Sequence, residues 1–144
     1  MNMMTTVTIG FLILEAANVI TLYFYPESKF ANGVGIFKAL EKSKADPEVY
    51  NFIKYLVNWV AGTKLIFILL MIVILYSGDH QTLILSSIAL VISIASFFWR
   101  LFPLIRKMDQ EGQVDPKNYS TALGWMIAAF IVVFLSAFLV SVSG

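Results

Sequence analysis

Residues 55–76 read YLVNWVAGTKLIFILLMIVILY, 22 residues with a single charge, Lys64, at the tenth position. At about 1.5 Å of rise per residue, a helix of this length just crosses a hydrocarbon core of roughly 30 Å. Outward from it lie three more runs of the same kind, residues 5–25, 82–102 and 120–142, of 21, 21 and 23 residues. The chain therefore reads as all-α, a polytopic membrane protein whose residues 1–144 form a single four-transmembrane-helix bundle. Its composition agrees, with 59% hydrophobic and 13% charged residues and a mean hydropathy of +0.82. The first run lacks a basic leading region and exceeds a usual signal core, so it is expected to remain as a helix.

Composition also excludes several chemistries. The chain has no cysteine, hence no disulfide, thiolate nucleophile or thiolate-bound metal, and its one histidine, His80, rules out a bis-histidine haem within one chain. A net charge of +1 implies no nucleic-acid partner. Asp79-His80 lacks further ligands, and the spacing of Asp109, Glu111 and Asp115 around Gly112 does not match a calcium loop. No cofactor or metal is expected, and no serine-histidine or two-carboxylate constellation is visible.

The basic residues set the expected topology. Setting Lys64 aside, nine of the ten Lys and Arg fall in or beside two regions. Lys29, Lys38, Lys42, Lys44 and Lys54 lie between the first and second runs; Arg100, Arg106, Lys107 and Lys117 lie at or beyond the end of the third and before the fourth. Loops 26–54 and 103–119 should accordingly be cytoplasmic and both termini extracytoplasmic, in an integral protein of the plasma (inner) membrane. Within the first loop, Asn32-Gly33 signals a turn, and Ile36, Phe37 and Leu40 share one side of a short stretch expected to lie against the headgroups. Asp46-Pro47 is a helix start, an N-cap carboxylate followed by proline at the first position, so the second helix should begin near residue 47. Asp115-Pro116 repeats the device before the fourth run, and Pro103 is expected to end or kink the third.

Charge within the apolar runs marks the candidate site. Glu15 stands eleventh in its run and Lys64 tenth in an antiparallel neighbour, so both lie about 15 Å deep. A lone charge there costs roughly 2.5–3.5 kcal/mol on insertion scales, so each needs a partner. Thr8 and Asn18 share the Glu15 face, and Asn58, Ala61 and Lys64 share a face of the second helix. Glu15, Asn18, Asn58 and Lys64 thus form the expected intramembrane polar site. The alternative is a buried ion pair that fixes helix register and does nothing else. On the third helix Ser86, Ala89, Ser93, Ser96 and Arg100 make a small, slightly polar stripe, a packing seam or cavity wall; Arg100 either contacts an anion or lipid headgroup or snorkels to the interface. Ser120, Gly124 and Ala128 make a close-contact ridge on the fourth, a surface for homo-oligomerisation or for a partner membrane protein.

Two resemblances bear on function. Leu14-Glu15-Ala16, midway along the first of four helices, resembles the small multidrug resistance exporters, in which such a glutamate is the shared proton and cation site. The first loop is much longer here, and Lys64 would oppose a cationic substrate. Lys29-Phe30-Ala31-Asn32, Asp46-Pro47-Glu48-Val49 and Asn58 resemble the MAPEG superfamily of membrane-bound glutathione transferases and eicosanoid synthases. That likeness is mainly architectural and implies an active site at the cytoplasmic face, with Asn58 contacting glutathione. The chain departs from the family in having Lys54-Tyr55-Leu56-Val57 in place of an arginine-rich run, and Ala61 in place of a glutamate. Three function classes follow: transport or conduction of a small solute or ion through the Glu/Lys site, assembly or lipid binding without catalysis, and a MAPEG-like membrane enzyme.

Overall fold

A computed structural model of the chain describes residues 3–143. Its helices are α1 (Met3–Phe24), α2 (Lys38–Ser43), α3 (Pro47–Ser77), α4 (His80–Ala95), α5 (Phe97–Gln110) and α6 (Tyr119–Ser143), with a 3-10 turn at Val34–Ile36. Four rods are long and apolar enough to cross a membrane: α1, α3, the α4–α5 pair over His80–Gln110, and α6. Asp46 starts α3 as expected. Its carboxylate accepts from the Glu48 and Val49 amides at 3.0 and 3.3 Å, and Pro47 occupies the first position, where its missing N–H is harmless. Asp79 caps α4 in the same way through the Thr82 amide, at 2.7 Å.

The third rod breaks elsewhere than expected. Pro103 lies inside α5, and the interruption falls at Ser96. There Ser93 Oγ donates to the Ala89 carbonyl (2.9 Å) and Ser96 Oγ to the Ser93 carbonyl (2.6 Å). Serine hydroxyls bonded back onto the preceding turn bend helices, which accounts for the break at Ser96.

The rods follow one another around the bundle, with α1 packed on α3 and α6, and α4 and α5 on α6. Phe11 is the centre of the core, meeting Phe67, Phe130 and Phe134 edge-on with centroids 6.3, 5.5 and 5.5 Å away. Met4, Leu83, Leu90 and Ala137 complete that cluster. Thr8 is fully buried and its hydroxyl donates to the Met4 carbonyl, so it belongs to the core and not to the Glu15 site. Ile13, Ile20, Ile66, Leu70, Ile92 and Leu139 are all more than half exposed. So much outward apolar surface on helices of spanning length is what a bilayer requires and water penalises. The chain is a small multi-pass integral membrane protein.

The two ridges of small residues take opposite places. On α4–α5, Ala89, Ser93, Ser96 and Arg100 face outward, while the neighbouring Ser87 is the serine turned into the core. On α6, Ser120 and Gly124 are buried. A Cβ on Gly124 would stand 2.7 Å from the Phe102 ring, so this glycine makes a close contact within the bundle.

The long loops close one end of the bundle together. Phe37 and Val114 form an antiparallel bridge, with Lys38 N donating to Gln113 O at 3.0 Å and Asp115 N to Ile36 O at 2.9 Å. Ile36 and Val114 are buried against Ile105 of α5. The apolar side of the α2 region, Ile36 and Leu40, therefore faces protein, not headgroups as expected. Lys29 pairs with Asp115 at 2.5 Å, and Lys38 Nζ reaches the Gly112 carbonyl at 2.8 Å. The Asn32-Gly33 turn forms, with Gly33 N donating to Phe30 O, and a Cβ on Gly33 would collide with the Ser28 carbonyl. Asp115-Pro116 does not cap α6. Its carboxylate is taken by Lys29, and the cap comes from Asp109, which accepts from the Asn118 amide (3.0 Å), the Ser120 amide (2.9 Å) and the Ser120 hydroxyl (2.7 Å).

Candidate functional site

The α1–α3 seam carries the site. Ala61 is fully buried and Gly62 adjoins the Tyr23 hydroxyl, so small residues let the two helices approach closely. Leu22, Val57 and Ala61 pack at the loop side of the seam; Leu12, Val19, Ile68 and Met71 pack at the other. Flanked by Leu12 and Val19 on α1 and by Ala61 and Ile68 on α3, Glu15 and Lys64 form a salt bridge through Glu15 Oε2. Asn18 donates from Nδ2 to the other carboxylate oxygen, Oε1, at 3.3 Å, one turn along the same helix. The side chains keep 14% and 25% of their surface exposed, Glu15 and Lys64 respectively, so the pair is sheltered but not sealed. Equal depth in antiparallel helices brings the charges level, and the low-dielectric surroundings make the contact strong.

Of the four expected residues, Glu15, Asn18 and Lys64 meet. Asn58 does not join them. Its Nδ2 donates to the Lys54 carbonyl at 3.0 Å, and it lines a cleft of about 340 Å³ at the loop end of the same seam. Glu27 anchors that cleft, accepting from Tyr50 Oη at 2.8 Å and Lys44 Nζ at 2.9 Å, while Lys54 lies 4.6 Å from the Tyr50 ring centroid. The Lys44 ammonium, then the Tyr50 hydroxyl, hold the Glu27 carboxyl below the usual range; Glu41 and Glu27 push Lys44 up. Arg100 makes no ion pair among the described residues; its guanidinium lies 5.5 Å from the neighbouring Trp99 ring on the exposed face.

No family model, curated protein or solved structure matches the chain. Its function therefore rests on the chemistry of these residues. Among the described residues no group of three or more His, Cys, Asp or Glu is placed to hold a metal.

The Glu27–Lys44–Tyr50 cluster went unread in the sequence because its members are 17 and 23 residues apart. Only knowledge that the first loop folds back beneath α3 joins them. Their arrangement continues the seam: Glu15–Lys64 and Asn18 at mid-depth, Tyr23 beside Gly62, then Asn58, Lys54, Tyr50 and Glu27 at the loop end. Chemically, the mid-depth pair can exchange either partner for a charged group of a solute, and each charge left behind needs that replacement.

Proposed function

We propose that this membrane protein moves a small charged solute or ion, with Glu15 and Lys64 as its mid-depth station. The observation that carries the reading is an inter-helix ion pair deep in the spanning region, incompletely sealed, on the same seam as a cleft that holds Glu27, Tyr50, Lys54 and Asn58 at the loop end, beyond the cluster of Leu22, Val57 and Ala61. A solute bearing a cation, an anion or both can replace one member or each in turn. We place loops 26–54 and 103–119 in the cytoplasm and both termini outside, on the distribution of nine basic residues. A reporter fused after Gly144 that is active only in the cytoplasm would refute that placement.

The test is flux in proteoliposomes, with ion-sensitive dyes and counterflow of labelled zwitterionic and ionic solutes. Uptake above protein-free vesicles that disappears in Glu15→Gln and in Lys64→Met supports the reading. Absence of uptake across the panel, or uptake indifferent to both substitutions, overturns it. A second reading, assembly or lipid binding without catalysis, is favoured by the filled Phe11-centred core and by two clefts that both stop short of the pair. Under it, Glu15–Lys64 locks helix register, and a lipid or partner protein co-purifies in fixed ratio. The MAPEG-like enzyme reading keeps one supporting feature, Asn58 in the loop-end cleft, and a glutathione-conjugation assay tests it directly.

A further inference from the structure

A groove runs along the outside of the bundle between α5 and α6, with a volume of about 360 Å³. Its loop-end portion is lined by Arg106, Thr121 and Trp125; its deeper portion by Phe98, Phe102 and Ala128. Arg106 and Phe98 are eight residues apart on one helix, and Thr121 and Ala128 seven on the other, so both walls turn from polar to apolar over about 10–12 Å. Gly124 forms the floor between them. With no side chain there, the Phe102 ring settles against the backbone and the groove stays open.

We propose that this groove binds one phospholipid with an anionic headgroup, in the leaflet at the loop end. Three features on the molecule argue for that occupant. Arg106 makes no ion pair among the described residues, whereas the nearby Lys107 has Glu111 at 3.8 Å and Lys29 has Asp115. A planar, bidentate cation without a protein partner, at the end of a spanning helix, matches a phosphate. Thr121 adds a hydroxyl to the groove lining near the loop end, and Trp125, one turn deeper, is 75% exposed and lines the same groove, as indoles near an interface do. Finally, the gradient from Arg106 to Phe98 has the order and span of a headgroup followed by the upper part of an acyl chain, in a groove that opens sideways on the lipid-facing surface. Arg100, the headgroup candidate on sequence grounds, lies outside this groove and beside its own neighbour Trp99. The proposal is independent of whether Glu15–Lys64 carries solute.

Trp125 supplies the probe. In a Trp59→Phe/Trp99→Phe background it is the one tryptophan left of three. The protein is placed in phosphatidylcholine nanodiscs doped with a minor fraction of brominated phosphatidylglycerol or, separately, brominated phosphatidylcholine. Quenching of Trp125 should show about a five-fold preference for the anionic lipid, the effect typical of one basic residue at a membrane surface. Arg106→Gln should abolish the preference, Arg106→Lys should retain part of it, and Arg100→Gln should leave it unchanged. Equal quenching by both lipids overturns the proposal, as does a preference that survives Arg106→Gln. Relief of quenching by millimolar inorganic phosphate overturns it too, because the site would then belong to a soluble anion.

Discussion

Replacing Lys64 with methionine removes the ammonium from a carboxylate that has one other donor, Asn18, at 3.3 Å. Breaking a fully buried pair costs about 3–5 kcal/mol and breaking an exposed one about 0–1 kcal/mol. With Glu15 86% and Lys64 75% covered, from their 14% and 25% exposure, the cost should fall near the buried limit, at about 2–4 kcal/mol. Glu15→Leu strands the ammonium and should cost as much, since the Lys64 stem is too short to reach water from about 15 Å. Glu15→Gln keeps one acceptor oxygen where the carboxylate had two, one for Lys64 and one for Asn18, and leaves the ammonium without a countercharge, so it should also destabilise, by about 2–4 kcal/mol. The double variant Glu15→Leu/Lys64→Met leaves no charge to satisfy and should lie within about 2 kcal/mol of wild type, giving a coupling of at least about 2 kcal/mol. Reversible unfolding in mixed micelles titrated with dodecyl sulfate measures each free energy. A double loss equal to the sum of the single losses, within about 0.5 kcal/mol, would refute the partnership. Flux assays on the same proteins separate station from lock: a lock permits the double variant to work, a station does not.

Three further outcomes follow from the loop end and the α5–α6 contact. Asp109→Ala removes three acceptor contacts at the start of α6 and should destabilise the protein by about 1–2 kcal/mol in the same titration, more than Asp115→Ala; the reverse order would show that Asp115 is the cap after all. Gly124→Val drives a side chain into the Phe102 ring and should cost about 1–3 kcal/mol, with part recovered by Phe102→Leu; an unchanged midpoint would mean the contact is not tight. The loop closure should be insensitive to pH from 7 to 5 and open in acid. Glu27 and Asp115 are held below their ordinary values of 4.5 and 3.8, chiefly by Lys44 and by Lys29, so their contribution is complete above those values and is lost as pH falls through the lower folded ones. Because the chain has no cysteine, spin labels on Lys42→Cys and Lys117→Cys can report the inter-loop distance, and broadening already above pH 5 would contradict the sign.

Most of the Glu15–Lys64 site was legible without coordinates because it follows from local quantities. A helix rises by a fixed amount per residue, and charge in a bilayer demands a partner, so depth alone matched Glu15 with Lys64. Asn18 followed from helical spacing. Asn58 stands six residues from Lys64, about 1.7 turns toward the loops, where its amide serves the Lys54 carbonyl and the cleft. Face and depth are separate coordinates, and a shared face does not bring two side chains together.

The sequence by itself determined the four spans, the α3 start at Asp46-Pro47 and the mid-depth pairing, since hydropathy, capping and helical rise act over a few residues. Tertiary structure decided which of two similar Asp residues caps α6, that Gly124 packs on the Phe102 ring, and that Ile36 and Val114 close the loops over Ile105. It also decided that Arg106, and not Arg100, stands at the mouth of a groove. Each of those outcomes depends on contacts between residues far apart in the chain, and no local pattern distinguishes the residue that gains such a neighbour from the one that does not.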